Sequence, residues 1–292
     1  MVNDDKPVQL GVAPLSAITT PPAEFIRAAH AAGFSSVGLR PMQVSETDAP
    51  FPLDLSSADF AGIKRALDET GLTVVDIEVL SVTPERTREE WLPMLDAGAA
   101  LGARLVNIVC DDPSLSRFVE TLSAITVDAH ERGLEPVLEP VAYRPLNSFP
   151  RAVEIAREVG CAVELDALHY LRTGAELSTI ADNADIIPIL QLCDAPASIA
   201  EQADALRPLA SDGSDTALAI AESRARRLLP GEGVVPLTAL LDALSPEVAV
   251  SVEIPNVPLR GDSSASDYLA VLHRAAMEYL ATHTRAPQRS GA

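Results

Sequence analysis

Basic residues are scarce in this chain: 22 lysines and arginines stand against 42 aspartates and glutamates, a formal net charge of -20 over 292 residues. A field of that sign repels polyanions, which argues against nucleic acid and against anionic membrane surfaces unless cations gather locally. One such gathering exists, Arg224-Ala225-Arg226-Arg227. Cysteine is almost missing as well. Cys110, Cys161 and Cys193 are an odd, widely spaced set lying in or just after apolar runs. That pattern fits buried free thiols in a reducing compartment better than a disulfide framework or a cysteine-rich zinc site. No uncharged run reaches the ~20 residues that cross a bilayer. The opening Met1-Val2-Asn3-Asp4-Asp5-Lys6-Pro7 lacks the basic and apolar regions of a secretion signal. We therefore expect a cytoplasmic protein. A Gly-x-Gly-x-x-Gly turn is absent after the first strand-like run, which removes the usual sign of dinucleotide binding.

What is present is a globular composition, 47% hydrophobic and 22% charged. The length lies close to the roughly 250 residues typical of a (β/α)8 barrel. Short apolar runs alternate with longer amphipathic ones, and glycine marks many of the boundaries. Val8 to Val12 precedes a helical stretch stopped by Gly33, and Ser36 to Arg40 precedes Phe60 to Glu69 and Gly71. Val74 to Val79, Leu105 to Val109 and Val137 to Glu139 are followed by helical stretches closed by Gly102, Gly133 and Gly160. Val163 to Asp166, Ile186 to Gln191 and Val248 to Ile254 complete eight strand-then-helix units. Short strands separated by helices must pair in parallel, and eight units predict a single-domain α/β fold, a closed (β/α)8 TIM barrel over residues 1–283. Thr284 to Ala292 is polar, with Pro, Gly and Ser, and is expected to be a disordered tail. The excursion from Pro196 to Pro236 is too long for an ordinary connection and holds a helical stretch, Ser214 to Arg227, expected over the barrel mouth.

In such a barrel the carboxyl ends of the strands share one mouth. Those ends are Arg40, Glu78, Asn107, Glu139, Asp166, Gln191 and Glu253, a polar set on otherwise apolar strands. Acids crowded at one rim require compensating positive charge, and a divalent cation supplies it. Glu139, Asp166 and Glu253 with the amide oxygen of Gln191 form an all-oxygen donor set, which suits Mn²⁺ or Mg²⁺, with Co²⁺ or Zn²⁺ able to exchange. The competing reading is that these acids cap helices or pair with Arg40, Arg144 or Arg260. His169, one small turn past Asp166, is either a group that polarises substrate oxygen or a partner that orients a carboxylate.

On these residues the sequence resembles the xylose isomerase-like barrel superfamily of sugar phosphate isomerases and epimerases. Leu138-Glu139-Pro140 looks like its strand-five glutamate, and Leu165-Asp166-Ala167-Leu168-His169 is similar to its Asp-x-x-His. Gln191-Leu192-Cys193-Asp194 stands where the family usually has His-x-x-Asp. Arg227-Leu228-Leu229-Pro230-Gly231-Glu232-Gly233 resembles its Pro-Gly-Glu-Gly loop. Gln191 departs from the family's histidine, a change also expected of its 3-dehydroshikimate dehydratases. The Arg found in the epimerases beyond strand seven is replaced here by Pro196-Ala197-Ser198, so Arg224, Arg226 or Arg227 would have to serve.

The resemblance implies a metal-dependent isomerase or epimerase acting on a keto-sugar or small polyol through an enediolate. Glu139 and Glu253 would be acid and base, with His169 at a substrate oxygen and Asp194, Arg227, Asn107 and Arg40 as substrate contacts. Asp194 can equally be a loop cap. The alternative is a lyase that dehydrates a 3-dehydroshikimate- or inosose-like β-hydroxy ketone. Cleavage at abasic DNA fits poorly, since the chain has only five histidines and no basic groove; a sugar-binding subunit without turnover is a further possibility. Barrels of this superfamily often pair, so a homodimer is expected by analogy.

Overall fold

The computed structural model describes residues 9–46 and 48–285. Eight strands form the wall: β1 (Leu10–Val12), β2 (Ser36–Leu39), β3 (Thr73–Val82), β4 (Leu105–Cys110), β5 (Glu135–Glu139), β6 (Ala162–Asp166), β7 (Ile189–Leu192) and β8 (Ala249–Val252). Each pairs in parallel with the next, and β8 closes on β1 through Leu10, Gly11 and Val12 opposite Val250, Ser251 and Val252. The predicted closed barrel is the fold observed.

The helices are α1 (Pro22–Ala32), α2 (Ala58–Thr70), α3 (Arg88–Ala100), α4 (Leu115–His130), α5 (Phe149–Val159), α6 (Ala167–Thr173), α7 (Leu177–Ala181), α8 (Ala203–Leu206), α9 (Asp215–Ala225), α10 (Leu237–Ala243), α11 (Val257–Arg260) and α12 (Ala265–Arg285). The chemistry of α5 explains its limits. The Ser148 hydroxyl accepts from Arg151 N–H and proline sits in the first turn; Gly160, at φ +78°, closes the helix in the left-handed region. Its buried residues, Phe149, Ala152, Val153, Ile155 and Ala156, recur at helical spacing and face the barrel wall. Trp91 of α3 packs inward, and its indole N–H donates to Asp128 of α4 at 2.9 Å.

Three expected boundaries move. β3 continues to Val82 because β4 pairs with it beyond a register shift. β7 begins at Ile189, since Ala184–Ile186 form a 3-10 turn and Pro188 follows. α12 runs through Arg285, past the start of the expected tail, whose remaining residues lie outside the described ones. No described helix is long and apolar enough to cross a membrane.

The barrel interior is layered. Val75, Leu105, Val137, Ala162 and Ile189 form an apolar plug at the amino ends of the strands. Nearer the mouth the side chains turn polar, with Asp76, Asn107, Glu164 and Ser251 all buried. Gly38 makes room for this layer, because a Cβ there would lie 2.7 Å from Asp76 Oδ1. The main core lies outside the wall, between strands and helices.

Candidate active site

The carboxyl ends of the strands open into a recess lined by Arg40, Glu78, Asn107, Glu139, His169, Gln191, Arg227 and Glu253, with Tyr143, Arg144, Ser223 and Arg224 toward the outside. Its floor is thus the set of strand ends singled out in the sequence, Asp166 excepted. Glu139, Asp166 and His169 each offer a ligand atom within 4.8 Å of the others, and all three are buried. Asp166 does not line the recess; it lies behind, where its Oδ1 accepts from His169 N–H at 3.0 Å and caps α6. Capping and clustering are therefore roles of the same carboxylate.

Arg227 provides the positive charge that is present. Its guanidinium is 1% exposed and bridges Asp166 Oδ2 and Glu253 Oε2, the latter at 2.8 Å. Its Nε donates to Ser223 O at 2.8 Å, which ties the end of α9 into the mouth. Arg40 pairs with Glu78 at 3.0 Å and lies 3.7 Å from Asp48. Four carboxyl groups, Glu78, Glu139, Asp166 and Glu253, therefore outnumber the two guanidiniums of Arg40 and Arg227.

The protonation equilibria reflect that excess. Burial, with the Asp166 carboxylate nearby, pushes Glu139 up to about 8. Burial likewise raises Glu253: the pairing with Arg227 lowers it, but not by enough to offset burial together with the repulsion from Glu78, Asp166 and Glu139. Burial would raise Asp166 too, but Arg227 and His169 hold it below the ordinary carboxylate range. His169 is pushed down to about 4 by burial against the opposing pull of Asp166, so it is neutral at pH 7. Its Nδ1 accepts from Ala142 N–H at 3.5 Å, which leaves the proton on Nε2, 3.7 Å from Glu139 Oε1.

Two amides complete the floor. Asn107 donates to Glu139 Oε2 at 2.9 Å and Gln191 to Glu78 Oε2 at 3.3 Å, each leaving its carbonyl oxygen buried without a partner. The donor chemistry fits a divalent cation: carboxyl groups clustered with an imidazole, and the orphaned oxygen of Gln191 beside them.

Asp194, expected at the substrate, is absent from the recess lining. Its two oxygens accept from the N–H groups of Ala195, Gly231, Gly233 and Val235 at 2.8 to 3.0 Å, so the carboxylate holds the Pro230–Val235 loop instead. A Cβ on Gly233 would collide with Ala195 O and Asp194 Oδ1, which is why glycine stands there. Sequence reasoning missed Tyr143 and Ser223 and named Arg144 only as a possible ion-pair partner; Tyr143 and Arg144 lie in the connection after β5, where periodicity carries no signal, and Ser223 lies in α9. Arg224 was visible only as part of the basic cluster. Half-buried His273 lies outside this site and packs edge-on against Phe34 with ring centroids 5.0 Å apart.

The family model described as xylose isomerase-like TIM barrel matches residues 26–279. No curated protein matches the sequence significantly. Among solved structures, an IolI protein with a binding zinc atom is 16% identical with a TM-score of 0.73, over 96% of this chain and 100% of that one. A D-allulose 3-epimerase from Methylomonas sp. is 14% identical with a TM-score of 0.63, over 96% and 98%. A probable 3-DHS dehydratase, AsbF, from Bacillus anthracis is 14% identical with a TM-score of 0.66, over 92% and 99%. At such identities these likenesses speak for the fold. The family match, which spans most of the sequence, makes the chain a member of the xylose isomerase-like TIM barrel family.

Proposed function

We propose that the protein is a divalent-metal-dependent isomerase or epimerase of a small keto-sugar or polyhydroxy ketone. The observation that carries this reading is the meeting of Glu139, Asp166 and His169 within 4.8 Å, beside the unpaired oxygen of Gln191 and the carboxylate of Glu253 in one recess. Glu139, Asp166, Gln191 and Glu253 would hold the ion, with Mn²⁺ or Mg²⁺ suited to the oxygen donors and Co²⁺ or Zn²⁺ able to replace them. A bound divalent ion supplies Lewis acidity at a carbonyl oxygen and so acidifies the adjacent C–H.

The protein groups divide the proton transfers. Glu139 and Glu253 leave β5 and β8, which β6 and β7 separate, so they approach a substrate carbon from different sides. One removes the proton and the other returns it, on the opposite face or on the neighbouring carbon. His169, neutral with its proton on Nε2, donates a hydrogen bond to substrate oxygen. Asn107 fixes the orientation of Glu139. Buried free thiols at Cys110, Cys161 and Cys193 support a reducing compartment, the cytoplasm.

The second reading is dehydration of a β-hydroxy ketone, favoured by Gln191 in place of an imidazole. A neutral His169 is a poor acid for expelling hydroxide, which ranks this reading second. Incubating the Mn²⁺-loaded protein in D₂O with a panel of ketoses and 3-dehydroshikimate separates them. Deuterium at the carbon beside the carbonyl with a new epimer or isomer supports the first. Appearance of a conjugated ultraviolet chromophore supports the second. Absence of both across the panel contradicts the enzyme reading.

A further inference from the structure

The recess has a second storey. Above the acids, Tyr143, Arg144 and Arg224 line both the inner recess and an outer one that Ser45, Asp111 and Ile220 continue. Arg144 comes from the connection after β5 and Arg224 from the last turn of α9, so two separate segments bring guanidiniums to one rim. They are close enough to feel each other: burial and then the Arg224 charge lower the Arg144 pKa. Side-chain exposures of 20% and 27% place both at the boundary between recess and solvent.

Neither arginine is fully used by the fold. Among the described residues, Arg144 Nη1 pairs with Asp111, and Arg224 makes one long contact, 3.5 Å to Asp48. Asp48 is already taken by Val44 N–H, Ser45 N–H and the Ser45 hydroxyl. A guanidinium carries five N–H donors, so most of those on the two side chains remain for another acceptor. Like charges held together at a partly dry rim repel, and an anion that accepts from both relieves the repulsion.

We propose that the substrate carries an anionic oxygen group, a phosphate or a carboxylate, at the end remote from its reacting carbonyl, and that Arg144 and Arg224 clamp it. The assignment of the inner end to the carbonyl rests on the proposed function. Tyr143 touches both groups: its ring centroid is 5.6 Å from that of His169 and 5.9 Å from the guanidinium carbon of Arg144. Tyr143 thereby gives the carbon chain an aromatic wall between the acids and the clamp. An uncharged ketose would leave most N–H donors of the arginine pair without an anionic acceptor, so the rim selects for charge and the floor for the ketone.

Isothermal titration with matched ligands tests this without requiring turnover. One arm sets D-ribulose 5-phosphate against D-ribulose and D-fructose 6-phosphate against D-fructose. The other sets 3-dehydroshikimate against its methyl ester. At least one anion is expected to bind tenfold or more tightly than its neutral partner, and the arm in which it does so identifies phosphate or carboxylate. Arg144→Gln and Arg224→Gln should each reduce that ratio at least fivefold, a change that loss of a purely structural ion pair would not produce. Equal binding within every pair, or a preference that survives both substitutions, overturns the proposal. Anion preference without turnover would sink the reaction reading alone, whereas turnover confined to neutral ketoses would sink the clamp alone.

Discussion

Arg227 and Glu253 face each other at 2.8 Å in the barrel mouth, with the other terminal nitrogen of the same guanidinium on Asp166. A buried arginine that spans two acids neutralises part of the site without a metal, and it couples α9 to β6 and β8. Arg227→Leu would leave both carboxylates buried beside fewer positive charges, a loss of about 3–5 kcal/mol. Urea unfolding at pH 7 measures it, and a loss below about 1 kcal/mol would mean that solvent reaches the acids.

Asp76 makes the opposite prediction. Both of its oxygens are buried without a partner, and burial together with Glu78 raises its pKa well above the usual carboxylate range. A carboxyl whose folded pKa is raised binds more protons folded than unfolded, so its contribution to stability falls as pH rises from about 4 toward the folded value. Asp76→Asn removes that slope. The variant should gain stability relative to wild type as pH goes from 5 to 7, measured by thermal unfolding across that window.

Asp128 behaves conventionally. Its pKa is lowered by hydrogen bonds from Arg88 and, against the cost of burial, by the Trp91 indole. A depressed folded pKa contributes stability above the ordinary carboxylate pKa of about 4, and that contribution is lost as pH falls through the folded value. Asp128→Asn should cost about 1 kcal/mol at neutral pH through the weakened Trp91 bond. It should also flatten the acid limb of the melting curve; an unchanged acid limb would count against this carboxylate as its source.

The Pro230–Val235 loop gives a sharper test of positioning. Gly233→Ala forces a Cβ into Ala195 O and Asp194 Oδ1, while Gly213→Ala meets open space. We expect the first to cost about 1–3 kcal/mol and to depress kcat/KM at least tenfold, because Leu228 of the displaced segment pairs with Asp194 next to Arg227. The second should behave as wild type in both denaturation and kinetics.

The barrel and its mouth were legible because strand and helix periods differ and because parallel strands must all point their carboxyl ends one way. Glu139, Gln191 and Glu253 could thus be placed together from the sequence, although β5 and β8 are far apart along it. The partner of Asp166 could not. Arg227 returns to it across 61 positions through the irregular stretch before β8, and no periodicity encodes that path. Asp194 stayed open between substrate contact and loop cap for a related reason: a carboxylate after a strand reads alike whether it meets a ligand or four backbone N–H groups. Tyr143 and Arg144 lie in a connection, where only the folded chain reveals that they face the recess.

Titration of the chelator-treated protein with Mn²⁺ in buffers of different ionisation enthalpy tests the central claim most directly. Glu139, raised to about 8, is largely protonated at pH 7 and must lose its proton to become a ligand. The account predicts one ion per chain, at least one proton released at pH 7, and loss of both signals in Glu139→Gln. Absence of saturable binding, or binding that releases no proton and survives Glu139→Gln, would contradict it.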